Sequence, residues 1–236
     1  MLRQRHHLLA LLALLISSLL AAPLVAQDAG LGSGMLDQAK LKALPSLQAT
    51  FPSHDLTRES MESWDTLPHT NLPGGASMGT MGNFTFFSGT NIQAKYPSTK
   101  DSDYALCGFL ALGLWHEYFH LPTVPGSGGA SGGGGGAPKE GPNVPEMGCL
   151  HKALHLCTAQ KACEMAEQAI VDCLVNPEAC DLWFALCKYY EGQMSKCGSQ
   201  EAWDATQQCI ADGETLPECP FPRSQPPLPE CVWCSL

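Results

Sequence analysis

The chain of 236 residues carries 13 basic and 23 acidic residues, which gives a formal net charge of −10 at pH 7. No run of lysine or arginine offsets this acidity, so nucleic acid and anionic membrane surfaces are excluded as principal partners. The even number of 12 cysteines predicts disulfides, and disulfides predict an oxidising compartment.

Residues 1–26 have the pattern of a secretory signal peptide. Basic residues near the N-terminus precede an apolar run from Leu8 to Leu20, and small residues follow up to Ala26. The run is shorter than the ~20 residues that a membrane-spanning helix needs, and no later stretch is long and apolar enough to span a bilayer. The sequence therefore predicts a secreted, extracellular protein with no membrane span.

The predicted fold class is mostly α: a small disulfide-rich module of several helices behind a largely irregular N-terminal region. That irregular, partly disordered region covers residues 27–102, where Gly, Ser, Thr, Pro and Met are frequent. Within it we expect one short helix from Gln38 to Leu47 and one strand from Asn83 to Phe87. Asn83 also begins an N-glycosylation sequon, which predicts a glycan at this position.

The next segment, residues 103–122, is predicted to be a buried helix. Asp103 is a plausible N-cap, the helix is apolar on nearly every side, and Pro122 ends it. Residues 123–144 are rich in Gly, Ser and Pro, and this composition is typical of a flexible linker.

The disulfide-rich helical module is predicted over residues 145–236. Asn176, Pro177 and Glu178 provide an N-cap, a first-turn proline and an acidic first turn, so a helix begins here directly after another has ended. The final segment is too rich in proline for a helix. We expect disulfides to attach it to the rest of the module through its cysteines, Cys219, Cys231 and Cys234.

Three cysteine pairs share one spacing, with nine residues between the two members. These pairs are Cys163/Cys173, Cys187/Cys197 and Cys209/Cys219. Ten residues are close to three helical turns, so both members of a pair lie on roughly the same side of a helix. Spacing alone leaves the connectivity open.

This spacing resembles the twin Cx9C helical hairpin. The resemblance implies that Cys163 pairs with Cys197 and that Cys173 pairs with Cys187. The run of Cys149, Cys157, Cys163 and Cys173 also resembles the helical cysteine modules of GDNF-receptor-type ectodomains.

The segment from His116 to His120 reads H-E-x-x-H, the signature of zinc metallopeptidases. On a helix the two imidazoles lie on one face, as two zinc ligands do, and Glu117 is placed to act as a general base toward water. No third histidine follows at the spacing of the extended motif, and bulky Trp115 and Phe119 stand where small residues are usual. We therefore expect no cleft and no convergent third ligand at this pair.

His151 and His155 form a second pair at helical i, i+4 spacing, after the linker. If the two helices face each other, they offer three or four nitrogens to Zn²⁺ or Cu²⁺. In the alternative interpretation, His151 and His155 belong to an ordinary amphipathic helix face and bind nothing.

Two functions follow from these patterns. The first is a non-enzymatic interaction module without a cofactor, which binds a protein or a small ligand outside the cell. The alternative is a secreted zinc-dependent hydrolase, a peptidase, with His116 and His120 as ligands and Glu117 as the catalytic base. In that case the third ligand comes from His151, His155 or an acidic residue.

Overall fold

A computed structural model describes residues 31–70, 72–121, 149–197 and 230–235, and the single positions 204, 207, 208 and 211. The predicted signal peptide, the predicted linker and Cys219 lie outside these described residues. The described elements are α1 Ser33–Thr50, α2 Arg58–Glu62, β1 Thr66–Pro68, β2 Met78–Met81, β3 Phe84–Phe87, α3 Gly89–Lys95, α4 Asp103–Tyr118, α5 Cys149–Cys173 and α6 Pro177–Cys197. Helices predominate, which confirms the predicted mostly α class. No helix in the described ranges has both the length and the apolar character to cross a membrane.

Helix α4 forms the centre of the hydrophobic core. It is buried on almost all sides, and Phe109, Leu110 and Leu114 are fully inaccessible to solvent. The predicted buried helix is therefore confirmed. The sequence predicts Asp103 as its N-cap, but the cap is Ser102, whose hydroxyl accepts a hydrogen bond from the Ala105 amide at 3.0 Å. Asp103 is already the first helical residue, so its side chain lies one position too late to cap.

Helix α1 packs against α4 and gives the N-terminal region more regular structure than its composition predicts. It spans 18 residues, whereas the sequence predicts a helix only from Gln38 to Leu47. Its buried residues recur every three or four positions, which places them on the face toward the core: Leu36, Ala39, Lys40, Ala43 and Leu47. At the C-terminal end of α1, the Trp115 indole donates a hydrogen bond to the Thr50 hydroxyl at 3.0 Å.

The three strands form one sheet in the order β1-β3-β2, with β3 parallel to β1 and antiparallel to β2. Strand β3 confirms the predicted strand from Asn83 to Phe87. Gly82 has a φ of 61° in the turn between β2 and β3, a conformation that glycine adopts without strain. The sheet approaches α4 closely at Gly113, where an added Cβ would lie 2.9 Å from the Met78 sulfur.

Helices α5 and α6 form an antiparallel hairpin joined by a turn of three residues. Small buried side chains allow the two helices to pack closely: Ala159, Ala162, Ala166, Ala169, Ala179 and Ala185. The hairpin docks on α4 through α6. At this contact an added Cβ on Gly108 would lie only 2.5 Å from a methyl group of Leu182.

The disulfides of the hairpin differ from the predicted ones. Those described are Cys163–Cys231, Cys173–Cys180 and Cys187–Cys234. The predicted pairs Cys163–Cys197 and Cys173–Cys187 are therefore wrong. They require a hairpin centred on residue 180, but the turn lies between Cys173 and Pro177. Cys180 consequently stands opposite Cys173, and Cys187 lies more than a helical turn farther away.

The prediction that disulfides attach the final segment is confirmed for Cys231 and Cys234. Two hydrogen bonds support the attachment. The Cys231 amide donates to the Tyr190 hydroxyl at 3.1 Å, and the Trp183 indole donates to the Trp233 carbonyl at 2.8 Å. Residues 230–235 therefore pack against α6, and their described helical element is a single 3-10 turn, Val232–Cys234.

Candidate functional site

The H-E-x-x-H segment lies at the C-terminal end of α4. His116 and Glu117 are buried, with 6% and 4% of their surfaces exposed, and His120 is half-buried in the turn that follows the helix. All three line a partly open cavity of about 470 Å³. The expectation that this pair faces no cleft is therefore wrong. Residues 77–80, α5 and α6 stand around the end of α4 and leave this space between them.

The two imidazoles of the motif face each other across a short distance. The Nε2 atoms of His116 and His120 are 3.3 Å apart, and their ring centres are 5.1 Å apart. Two nitrogens bound to one tetrahedral Zn²⁺ at the usual bond length are also about 3.3 Å apart. The same separation fits a hydrogen bond from one ring to the other. Helical spacing followed by a turn thus brings together the two nitrogens that the motif predicts.

The other nitrogen of His116 contacts helix α5. His116 Nδ1 lies 2.7 Å from the hydroxyl of Thr158, and that hydroxyl donates to the Leu154 carbonyl at 2.8 Å. Thr158 is completely buried. Sequence reasoning missed this residue, because a single threonine within a helix carries no pattern that singles it out.

His155 lines the same cavity as the motif. Its ring centre lies 5.2 Å from that of His116, and the two ring planes are inclined by 35°. His151 belongs to α5, but its side chain lies outside the described residues. In the part of the chain that the structure describes, no three His, Cys, Asp or Glu side chains are arranged as a metal site. Two histidines therefore converge on one point, and a third stands beside them.

Glu117 is held by a chain of hydrogen bonds from the sheet. Burial raises the pKa of Glu117 to about 7, and a hydrogen bond with Thr80 lowers it by a smaller amount. The Thr80 hydroxyl lies 2.9 Å from that of Thr85, which accepts a hydrogen bond from the Trp64 indole at 3.1 Å. An indole N–H only donates, so the Thr85 proton is available for Thr80 and the Thr80 proton for the carboxylate. The sheet thus presents a donor to Glu117.

Asn83, the predicted glycosylation site, is exposed in the turn between β2 and β3. Its modification stays a prediction.

The features above define a disulfide-rich, mostly helical protein with a cavity lined by histidines. No protein-family model, no curated protein and no solved structure matches the chain. Its function is therefore inferred from the geometry of the cavity.

Proposed function

We propose that the protein is a secreted zinc-dependent hydrolase that cleaves peptides, with His116 and His120 as zinc ligands. This proposal is based mainly on the 3.3 Å separation of their Nε2 atoms in a partly open cavity. This is about the separation that two nitrogens have on one tetrahedral zinc ion. When bound, Zn²⁺ supplies Lewis-acid polarisation of a carbonyl group and lowers the pKa of water.

His155 is the third ligand in this proposal. Its ring lines the same cavity and lies beside His116, with 5.2 Å between ring centres. Because the described side chains do not already form a three-ligand set, the His155 ring must turn toward the other two when zinc binds.

Glu117 is the general base. Its carboxylate accepts a proton from the water that attacks the scissile carbonyl, and it then returns the proton to the amine that leaves. Two features of Glu117 support this role: it lines the cavity next to the two histidines, and burial raises its pKa to about 7, which the Thr80 hydroxyl offsets in part.

Strand β2 supports a peptide as the substrate. Residues 77–80 border the cavity, and β3 is the one neighbour of β2 in the described sheet. The other edge of β2 therefore presents backbone donors and acceptors that an extended peptide can pair with.

Secretion is part of the same proposal. Three disulfides lie within the described chain, and disulfides persist mainly in oxidising compartments outside the cytosol. The exposed position of Asn83 is consistent with glycosylation in the same pathway.

The zinc content of the purified protein tests the proposal first. We expect about one zinc ion per chain by elemental mass spectrometry, and loss of the zinc in His116→Ala and in His120→Ala. His69→Ala is the matched control, since His69 is exposed and does not line the cavity; it should keep the metal. A folded wild-type protein that takes up no zinc on dialysis against Zn²⁺ would contradict the proposal.

Glu117→Gln separates metal binding from catalysis. The variant should keep its zinc and lose the hydrolysis of a fluorogenic peptide library by about 10²–10⁴-fold, because the ligands remain and the base is gone. Glu62→Gln, at an exposed acid on α2, is the control and should keep the wild-type rate. A Glu117→Gln variant that hydrolyses peptides as fast as the wild type would exclude Glu117 as the base.

The second candidate is the non-enzymatic interaction module, which binds an extracellular partner. Exposed apolar side chains at the end of the α5–α6 hairpin favour it: Val171, Leu174 and Val175, of which the last two are 84% and 88% exposed. Contiguous exposed apolar residues are typical of interaction surfaces. A folded protein that is free of zinc and hydrolyses no peptide would favour this candidate over the first.

A further inference from the structure

We propose that the open edge of β2 binds an extended peptide by antiparallel strand pairing, and that a notch at Gly79 selects an apolar side chain of that peptide. The inference deepens the proposed function, because it narrows the class of substrate. Only the cleavage of the peptide rests on that function, since strand pairing at this edge requires no metal.

The ladder between β2 and β3 determines which backbone groups of β2 face the open edge. The Ser88 amide donates to the Ser77 carbonyl at 2.9 Å, and residues 78–81 continue the same antiparallel register. Hydrogen-bonded and non-hydrogen-bonded pairs alternate along such a ladder. Ser77 and Ser88 form a hydrogen-bonded pair, so the second and fourth pairs after it are hydrogen-bonded as well.

Gly79 and Met81 belong to the hydrogen-bonded pairs and direct their backbone N–H and C=O groups toward β3. Met78 and Thr80 belong to the other pairs and direct theirs away from β3. Within the described sheet β3 is the one neighbour of β2, so these outward groups are open to a further strand. Alternate residues of an extended peptide present matching groups at the same spacing.

The side chains of β2 also alternate, between the two faces of the sheet. Met78 packs against α4, and Thr80 forms a hydrogen bond with Glu117 of the same helix, so both side chains lie on the inner face. Gly79 and Met81 consequently lie on the outer face, where Met81 is 70% exposed. A peptide paired with β2 continues this alternation and places every second side chain on the outer face.

Gly79 leaves a notch in the outer face, beside Met81 on β2 and Phe86 directly opposite on β3. An added Cβ on Gly79 would meet nothing within 4 Å, so the notch is vacant. The outer face continues with Phe84, whose ring centre lies 6.5 Å from that of Phe86, and with Leu67 on β1. Within the three described strands, no charged side chain belongs to this face.

The peptide residue opposite Gly79 should therefore be apolar. It belongs to a non-hydrogen-bonded pair, in which the two Cα atoms are only about 4.5 Å apart. Its side chain enters the notch and has Met81 as a diagonal neighbour. An apolar side chain removes apolar surface from water there, whereas a charged one loses water without gaining a partner.

A second copy of the chain fits this edge less well than a peptide does. Strand β2 has four residues, of which only Met78 and Thr80 offer outward backbone groups. Pairing of two such strands buries far less than the ~1,200 Å² of a stable specific interface. A single extended peptide needs only these backbone groups and the notch.

A matched set of fluorescent peptides tests the side-chain preference on zinc-free, full-length protein. The peptides have the sequence Gly-Thr-Thr-X-Thr-Thr-Gly, with Leu, Ala or Asp at X. We expect the Leu peptide to bind roughly 10-fold more tightly than the Asp peptide, with the Ala peptide between them. Equal affinities, or no binding by any of the peptides at millimolar concentration, would overturn the inference.

Two variants of the outer face locate the preference at the notch. Met81→Thr and Leu67→Thr each remove an exposed apolar side chain, but Met81 borders the notch and Leu67 lies on β1, with β3 between it and β2. Met81→Thr should reduce the preference for Leu over Asp to roughly 3-fold, and Leu67→Thr should leave it unchanged. Gly79→Lys should reverse the preference, because its ammonium group then stands opposite X. Equal effects of Met81→Thr and Leu67→Thr would contradict the notch.

Amide hydrogen exchange measured by NMR tests the strand pairing itself. In the free protein the Met78 and Thr80 amides should exchange fast, and the Gly79 and Met81 amides, which donate to β3, should exchange slowly. A saturating Leu peptide should slow Met78 and Thr80 by roughly 10-fold and leave the other two unchanged. Binding without this change would overturn the inference. Slow exchange of Met78 and Thr80 in the free protein, including slowing that grows with protein concentration, would also overturn it.

The two proposals fail in different ways. A protein that takes up no zinc but pairs with the Leu peptide at Met78 and Thr80 contradicts the proposed function and leaves the peptide edge intact. A zinc peptidase in which no peptide slows these two amides contradicts the peptide edge and leaves the proposed function intact.

Discussion

The two regions that meet at the cavity are held together by different forces. Residues 31–121 surround α4 with large apolar side chains, and the one cysteine there, Cys107, is a free thiol. In the α5–α6 hairpin and residues 230–235, six of the buried side chains are alanines, three disulfides are described, and Cys157 is disulfide-bonded as well. An alanine buries little apolar area, so cross-links supply stability that packing supplies in the first region.

The cavity takes side chains from both regions. Glu117 and His116 come from α4 in the packed region, whereas His155 comes from α5 in the cross-linked region. The geometry of the site therefore depends on how the second region docks against the first. Changes that loosen either region, or the contact between them, test this dependence.

The largest expected effect is the loss of a disulfide that closes a long loop. Replacing Cys187 and Cys234 by alanine removes a disulfide that closes a loop of 47 residues; because Cys163–Cys231 still constrains much of this stretch, the change should cost about 3 kcal/mol of unfolding free energy. Replacing Cys173 and Cys180 opens a loop of only 7 residues and should cost about 2 kcal/mol. Urea unfolding of the oxidised proteins measures both losses.

Cys107→Ala is the matched control for the disulfide variants. Cys107 is half-buried and unpaired, so this change should alter the unfolding free energy by no more than about 1 kcal/mol. A loss as large as that of the Cys187 and Cys234 variant would show that the packed region does not tolerate cysteine replacement. Equal losses for the long and short loops would contradict the loop-length argument.

The contact between the regions gives the second prediction. Gly108→Ala places a methyl group against Leu182 and should cost about 1–3 kcal/mol. Leu182→Ala makes room, so the double variant should lose less than the two single variants together, with a coupling of about 0.5–3 kcal/mol in a double-mutant cycle. Additive losses would show that the two helices do not meet as described.

Gly113→Ala is the control within the packed region. There the added methyl group would meet the Met78 side chain and, at 3.0 Å, the fully buried Phe87 ring, so we expect a loss of similar size. Gly113→Ala combined with Leu182→Ala should be additive, since the two positions share no described contact.

The smallest expected effect concerns the N-terminus of α4. Ser102→Ala removes the cap and should cost about 1 kcal/mol. Asp103→Ala removes only a favourable charge in the first turn and should cost less. Thermal unfolding of the two variants compares them directly, and a larger loss for Asp103→Ala would restore Asp103 as the cap.

Local sequence signals predicted the elements that depend on local interactions. The apolar character of α4, the alternation in β3 and the proline at the start of α6 each identify an element that the structure contains. Strands β1 and β2 were missed, because β1 pairs with a partner 19 residues away and β2 contains Gly79 and two methionines. Pairing in a sheet, and not local propensity, makes these segments strands.

The wrong disulfide pairs and the wrong expectation that the H-E-x-x-H pair faces no cleft have the same origin. Spacing showed which cysteines share a helix side, but the position of the turn decides which of them face each other. The motif likewise predicted His116, Glu117 and His120 as a group, and the second pair pointed to His155. Thr158 is 42 residues from His116 and meets it only through the docking of two helices.

The four tryptophans of the described residues give each region an optical signal of its own. Trp64 and Trp115 are buried in the packed region, whereas Trp183 and Trp233 are half-exposed in the cross-linked region and joined by a hydrogen bond. Indole emission shifts to longer wavelength as its surroundings become wetter. Opening of the hairpin alone therefore changes the red side of the emission band first, and the blue side follows only when the core around α4 takes up water.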